Sequence, residues 1–154
     1  MQNQIKTETR LTFIQFVFSS FFSDLSIEDE VINFQNYFYK LSISSIDQKT
    51  ESLINFNKNY LNKLVLNYNH FIKNNNVEKI IKNLINFERK FQNWDYINKA
   101  IILSILSEME ITKKEKIKIL LNDYFDISKS LIKRNELGII NAITDKYINE
   151  KKII

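Results

Sequence analysis

The chain has 154 residues, enough for one domain that buries about two-thirds of the surface of its unfolded form without a covalent staple. It has no cysteine, which excludes a disulfide framework, a thiolate metal site and a cysteine nucleophile, and the expected compartment is the cytoplasm. The net charge of +4 is uneven: residues 1–112 carry 12 Lys/Arg against 12 Asp/Glu and residues 113–154 carry 10 against 6, so the excess sits in the C-terminal third, where it suits an anionic partner.

With no proline and one glycine the chain has few breakers, and its 26 Ile and 20 Asn read as the codon bias of an AT-rich genome. The first helix is predicted from Thr7 or Glu8 to Phe22, with Thr7 as N-cap. It is apolar nearly all round, through Leu11, Phe13, Phe16, Phe18 and Phe22. Such a helix is either central to the core or offers an aromatic face to a partner. Gln15, in the middle of that surface, needs a hydrogen-bond partner if it is buried. Gln15, Ser19 and Ser20 interrupt the apolar run, which is too short to span a membrane, and no signal-peptide cleavage site comes after it. Ser26 with Asp29 resembles a capping box and starts a second helix whose apolar face is Val31, Phe34, Phe38 and Leu41. Ser42 to Lys49 reads as an exposed loop.

From Thr50 to Lys73, Leu53, Phe56, Tyr60, Leu64, Tyr68 and Phe71 keep helical spacing, and a break is expected at Asn74 to Asn76. Val77, Ile80, Ile81, Leu84, Ile85 and Phe91 form the next face, and Trp94 and Asp95 mark a turn. Ile97 to Met109 is apolar on all sides and is predicted to be a central helix. Thr112 to Glu115 reads as a capping box that starts the next helix. Two amphipathic helices then run to Ile148, the first with Leu121, Tyr124, Phe125, Ser128, Leu131 and Ile132 on one face. The second repeats the pattern with Leu137, Ile140, Ile143, Thr144 and Tyr147, opposite Asn141 and Asp145, and the tail from Asn149 is expected to fray. No stretch alternates with period two without also fitting a helix, so the fold class is all-α with six or seven helices.

One glycine excludes phosphate-cradling loops of the Walker and dinucleotide types, which need several. A Ser-His-Asp arrangement would have to rest on the lone His70 inside a helix, and a single His without a ligand partner is assigned no chemistry. Carboxylate pairs such as Asp123 and Asp126 are expected in any chain with 18 acids and are read as structural. No metal site is apparent, and the protein is read as neither an enzyme nor a cofactor carrier.

The C-terminal hairpin reads L-N-D-Y-F-D-I-S-K and then G-I-I-N-A-I-T-D-K. That order resembles I-N-E-x-x-x-x-A-K followed by G-F-V-N-G-V-L-D-K, the C-terminal signature of the NusB family. Asn122, Asp126, Lys129, Gly138, Asn141, Asp145 and Lys146 match, with Asp123 as an acidic exchange and Ala142 where the family usually has glycine. Near the N-terminus Arg10, Gln15 and Phe18 match R-x-x-x-x-Q-x-L-Y by spacing, with Phe for Tyr. In N-K-A-I-I-L-S-I-L-S-E-M, Lys99, Ala100, Ile101 and Glu108 match, Asn98 stands in the acidic position and Leu103 replaces an arginine.

The resemblance implies a NusB-like all-α domain over residues 1–154, built of two packed helical subdomains. It implies a non-enzymatic factor that holds boxA RNA together with the ribosomal protein NusE. Such a factor helps the RNA polymerase elongation complex read through terminators, notably on ribosomal RNA operons. Lys6, Arg10, Gln15, Lys133 and Arg134 are the residues expected to meet RNA, with cations for phosphates and an amide for bases. Phe18, Asn98 and Lys99 are expected to meet NusE. Lys133 and Arg134 also fit a plainer role as cations near a helix C-terminus. The competing class is a helical protein-interaction module that has lost RNA binding, because the family's N-terminal arginines are reduced to Lys6 and Glu8 adds the opposite sign. A helical appendage of an RNA methyltransferase would need a long catalytic domain in the same chain.

Overall fold

A computed structural model of the chain describes residues 2–34, 36, 56–84 and 93–151, and among these every regular element is helical, in agreement with the all-α expectation. Seven α-helices are present in that set: α1 (Asn3–Ser20), α2 (residues 27–34), α3 (Lys58–Asn74), α4 (Val77–Leu84), α5 (Tyr96–Glu110), α6 (Ile117–Ser128) and α7 (Arg134–Lys151). A 3-10 turn, Lys114–Lys116, precedes α6. The expectations for Phe38, Leu41, the 42–49 loop, Leu53, Ile85 and Phe91 lie outside the described residues.

Several boundaries differ from the sequence reading for identifiable reasons. α1 begins at Asn3, four residues before Thr7, so Thr7 lies inside the helix, where its hydroxyl donates to Asp123 Oδ1 at 2.6 Å. It ends at Ser20 rather than Phe22. α3 begins at Lys58 and not Thr50. Asn57 caps it, accepting the Tyr60 N–H at 2.8 Å, while the Asn57 N–H donates to Thr9 Oγ1 at 3.0 Å and pins the cap to α1. The expected capping box at Thr112 does not form: the Thr112 hydroxyl donates to the Glu108 carbonyl at 2.6 Å, satisfying an end of α5 instead of a start of α6. α7 continues through Asn149 to Lys151. Other signals hold. Ser26 Oγ accepts the Asp29 N–H at the start of α2, and Asn76 Oδ1 accepts the Lys79 N–H at the start of α4, so the asparagine run ends one helix and caps the next.

α5 is the axis of the molecule, and α1, α3, α6 and α7 all pack against it. From Ala100 to Met109 every residue is buried, which is why its sequence shows no polar face. The serines within that run are satisfied locally: Ser104 Oγ donates to the Ala100 carbonyl at 2.6 Å and Ser107 Oγ to the Ser104 carbonyl at 3.1 Å. α1 contributes Phe13 and Phe16, both fully buried, whose rings meet Tyr68 of α3 edge-on at 6.0 and 6.3 Å, and Phe16 meets Phe34 of α2 at 4.9 Å. Such arrangements suit the ring quadrupoles, and truncating either phenylalanine to alanine should cost about 3–5 kcal/mol. Leu120, Tyr124 and Ile127 of α6 join Ile140, Ile143 and Tyr147 of α7 in the same continuous core. α1 and α3 thus pack on α5 and on each other, α7 packs on α5, α6 and α4, and α6 touches both α1 and α5.

Candidate functional site

Three features stand out among the described residues: a buried charge network, an exposed aromatic cluster and an open polar groove. The network centres on Arg10, whose spacing on α1 carries it inward beside Glu108 of α5 and Asp123 of α6. Its Nη2 donates to Glu108 Oε2 at 2.8 Å and to the Tyr60 hydroxyl at 3.2 Å, and its Nη1 donates to Asp123 Oδ2 at 2.6 Å. The Tyr60 and Tyr124 hydroxyls both donate to Glu108, the latter at 2.6 Å. Arg10 is 7% exposed and Glu108 2%. Burial by itself opposes the charge on Arg10, but the facing carboxylates overcome it and hold the guanidinium protonated beyond its ordinary range. Burial, and next the Glu108 charge, push both phenols upward, so Tyr60 and Tyr124 remain donors.

This arrangement corrects the expectation that Arg10 meets RNA. Its donors are directed at Glu108, Asp123 and Tyr60, and releasing them would leave a buried carboxylate without its counter-charge. Glu108 and Asp123 were legible only as motif matches in the sequence, because helical periodicity does not show that two acids on different helices converge on one arginine.

The aromatic cluster lies where α1 ends and α5 begins. Phe18 is 36% exposed, Phe22 60% and Tyr96 47%. The Phe18 and Phe22 rings are 5.1 Å apart, those of Phe22 and Tyr96 4.8 Å, and the Lys99 ammonium lies 5.2 Å from the Tyr96 ring centre. Phe18 and Lys99 are therefore joined through Phe22 and Tyr96, two residues that spacing alone did not single out. Asn98 does not join them at the surface. It is 9% exposed, and its Oδ1 has no hydrogen-bond partner among the described residues.

The groove, of about 510 Å³, runs along the outer side of the C-terminal hairpin. α6 lines it with Asn122, Phe125 and Asp126, followed by Lys129 just past its end. α7 lines it with Arg134, Leu137, Gly138 and Asn141. Of the matched motif positions, Asn122, Asp126, Lys129, Gly138 and Asn141 thus come to one surface, while Asp145 and Lys146 stand further along α7, also exposed. Lys129 forms an exposed ion pair with Asp126 at 3.1 Å, the kind worth little in water.

Lys133 and Arg134 are exposed at this end of the molecule, but not as expected at a helix C-terminus. α6 stops at Ser128, and Arg134 is the first residue of α7, where the helix dipole does not favour a cation. Lys6 is half-buried and Gln15 exposed on α1, so Gln15 needs no internal partner. His70 is exposed, beside Asn74. No group of three or more metal-binding side chains occurs among the described residues, and no helix there is long and apolar enough to cross a membrane.

No protein-family model and no solved structure matches the chain. Curated proteins do. Over 148 residues, 96% of this chain and 92% of the relative, it is 24% identical to transcription antitermination protein NusB of Rickettsia bellii, in each of strains OSU 85-389 and RML369-C. Over 145 residues, 94% of this chain and 92% of the relative, it is 20% identical to transcription antitermination protein NusB of Rickettsia massiliae (strain Mtu5). Along nearly its whole length, and on an all-helical fold that brings most of the motif residues to one surface, the chain is therefore similar to proteins of the NusB family.

Proposed function

We propose that the protein acts as a single domain and is a transcription antitermination factor. In this reading it is not an enzyme: it binds boxA RNA together with NusE and acts with the RNA polymerase elongation complex on ribosomal RNA operons. The observation that carries the reading is the similarity, over more than nine-tenths of the chain, to proteins named transcription antitermination protein NusB. The surface supports it with exposed Lys129, Lys133 and Arg134 at the turn between α6 and α7. Helix-end electrostatics do not account for Arg134, which suits phosphate contact instead. Lys6 and Gln15 extend the RNA-facing set along α1, without Arg10. NusE is assigned to the cluster of Phe18, Phe22, Tyr96 and Lys99, an exposed aromatic patch with one cation, of the kind that anchors protein partners.

A protein-interaction module without RNA binding is the second reading, favoured by one observation: the burial of Arg10 removes one of the four cations expected to meet phosphate. A pull-down with NusE, with and without boxA RNA, separates the two. RNA-dependent strengthening and a preference for boxA over a scrambled strand are expected. Capture of NusE with no effect of RNA would establish the module instead.

A further inference from the structure

Resting on the RNA-binding reading above, we propose that the groove between α6 and α7 seats one unpaired nucleobase of the bound RNA, with Gly138 as its floor. Gly138 is the one glycine of the chain, and it stands inside a helix, where glycine is less favourable than alanine. Packing does not require it: a Cβ added there would meet nothing within 4 Å. What the missing side chain leaves is open room in the groove it lines.

The surrounding chemistry fits a base. A base presents two flat apolar faces, an edge of donors and acceptors, and a phosphate on either side. Phe125 and Leu137 supply apolar walls, Asn122 and Asn141 supply amides that both donate and accept, and Arg134 supplies a cation at the rim. A volume of about 510 Å³ lies within the range of small-ligand sites. A helical peptide fits less well, because it docks through a row of apolar anchors and this groove offers only two apolar residues, both half-buried already.

The test measures single-stranded boxA RNA binding in the presence of NusE. Gly138→Leu places a side chain in the groove and should weaken RNA roughly tenfold or more, the scale of one lost base-stacking contact. The salt dependence should stay as in the parent, because no cation is removed. Asn141→Ala should weaken RNA in the same direction, and Ala142→Leu, exposed on α7 outside the groove, controls for added volume. An RNA with a single abasic nucleotide at the seated position should bind weakly to the parent and lose nothing further with Gly138→Leu. Unchanged RNA affinity of both Gly138→Leu and Asn141→Ala would overturn the base seat while leaving RNA binding elsewhere intact. Loss of NusE, or of an acidic peptide, with RNA unaffected would reassign the groove to protein. No RNA binding by the parent with NusE would bring down the seat and the functional reading together.

Discussion

Arg10→Met tests the charge network most directly. Methionine refills most of the volume, so the cavity contribution is small, but Glu108 at 2% exposure is left with two phenol donors and no cation. Removing one partner of a buried ion pair costs about 3–5 kcal/mol. In a chain of this size each kcal/mol shifts the unfolding midpoint by about 2–4 °C, so the variant should melt roughly 6–20 °C below the parent. Adding Glu108→Gln removes the orphaned charge, and the double variant should be more stable than Arg10→Met alone. Urea and thermal unfolding followed by far-ultraviolet circular dichroism measure both. A single variant as stable as the parent, or one that keeps its stability but loses a phosphate contact in RNA titrations, would refute the inward role of Arg10.

With Lys6, Lys133 and Arg134 as the phosphate contacts, the salt slope for single-stranded RNA should be about −2, and Arg134→Ala should flatten it by about 0.7. A filter-binding series in salt reads this, and an unchanged slope would remove Arg134 from the interface. Phe18→Asp should abolish NusE binding by placing an unpaired charge in a desolvated patch, and Tyr96→Ala should weaken it about tenfold or more; calorimetric titration showing parent affinity for either folded variant would move the docking surface elsewhere. Gly138→Ala should raise stability by about 0.5–1 kcal/mol, since the site is helical and open, and a loss of stability in denaturant titration would contradict that geometry. Tyr147 is pushed up to about 12 by burial and then by the Glu110 carboxylate. Its folded value exceeds the ordinary phenol value of about 10, so its contribution is present below pH 10 and lost as pH rises towards 12. Unfolding midpoints should fall across that window, and Tyr147→Phe should make the fall shallower.

Much of the architecture was legible because burial leaves a periodic trace. The absence of a polar face between Ile97 and Met109 announced a helix enclosed on all sides, and α5 is that helix. Boundaries were less legible wherever a side chain had two possible uses. Thr7 and Thr112 both read as caps, yet one hydroxyl serves a carboxylate on α6 and the other the end of α5. The misplacement of Arg10 has a similar source: a cation near the N-terminus reads as solvent-exposed until Glu108 and Asp123, about a hundred residues further on, are brought beside it by the fold. Phe22 and Tyr96 stayed hidden for the same reason, since only the packing of α1 on α5 places their rings together.

The packing of α1, α6 and α7 on one shared helix also bears on assembly. Tyr96 and Lys99 belong to α5 itself, and the groove belongs to two helices that rest on it, so the aromatic cluster and the groove ride on a common support. Two ligands gripped at those places would meet at a separation set in advance, with little ordering left to do at the moment of binding. The protein would then contribute effective concentration: two modest grips on one support would combine into one strong hold, and either ligand, once seated, would present the other with an intramolecular encounter in place of a search through solution.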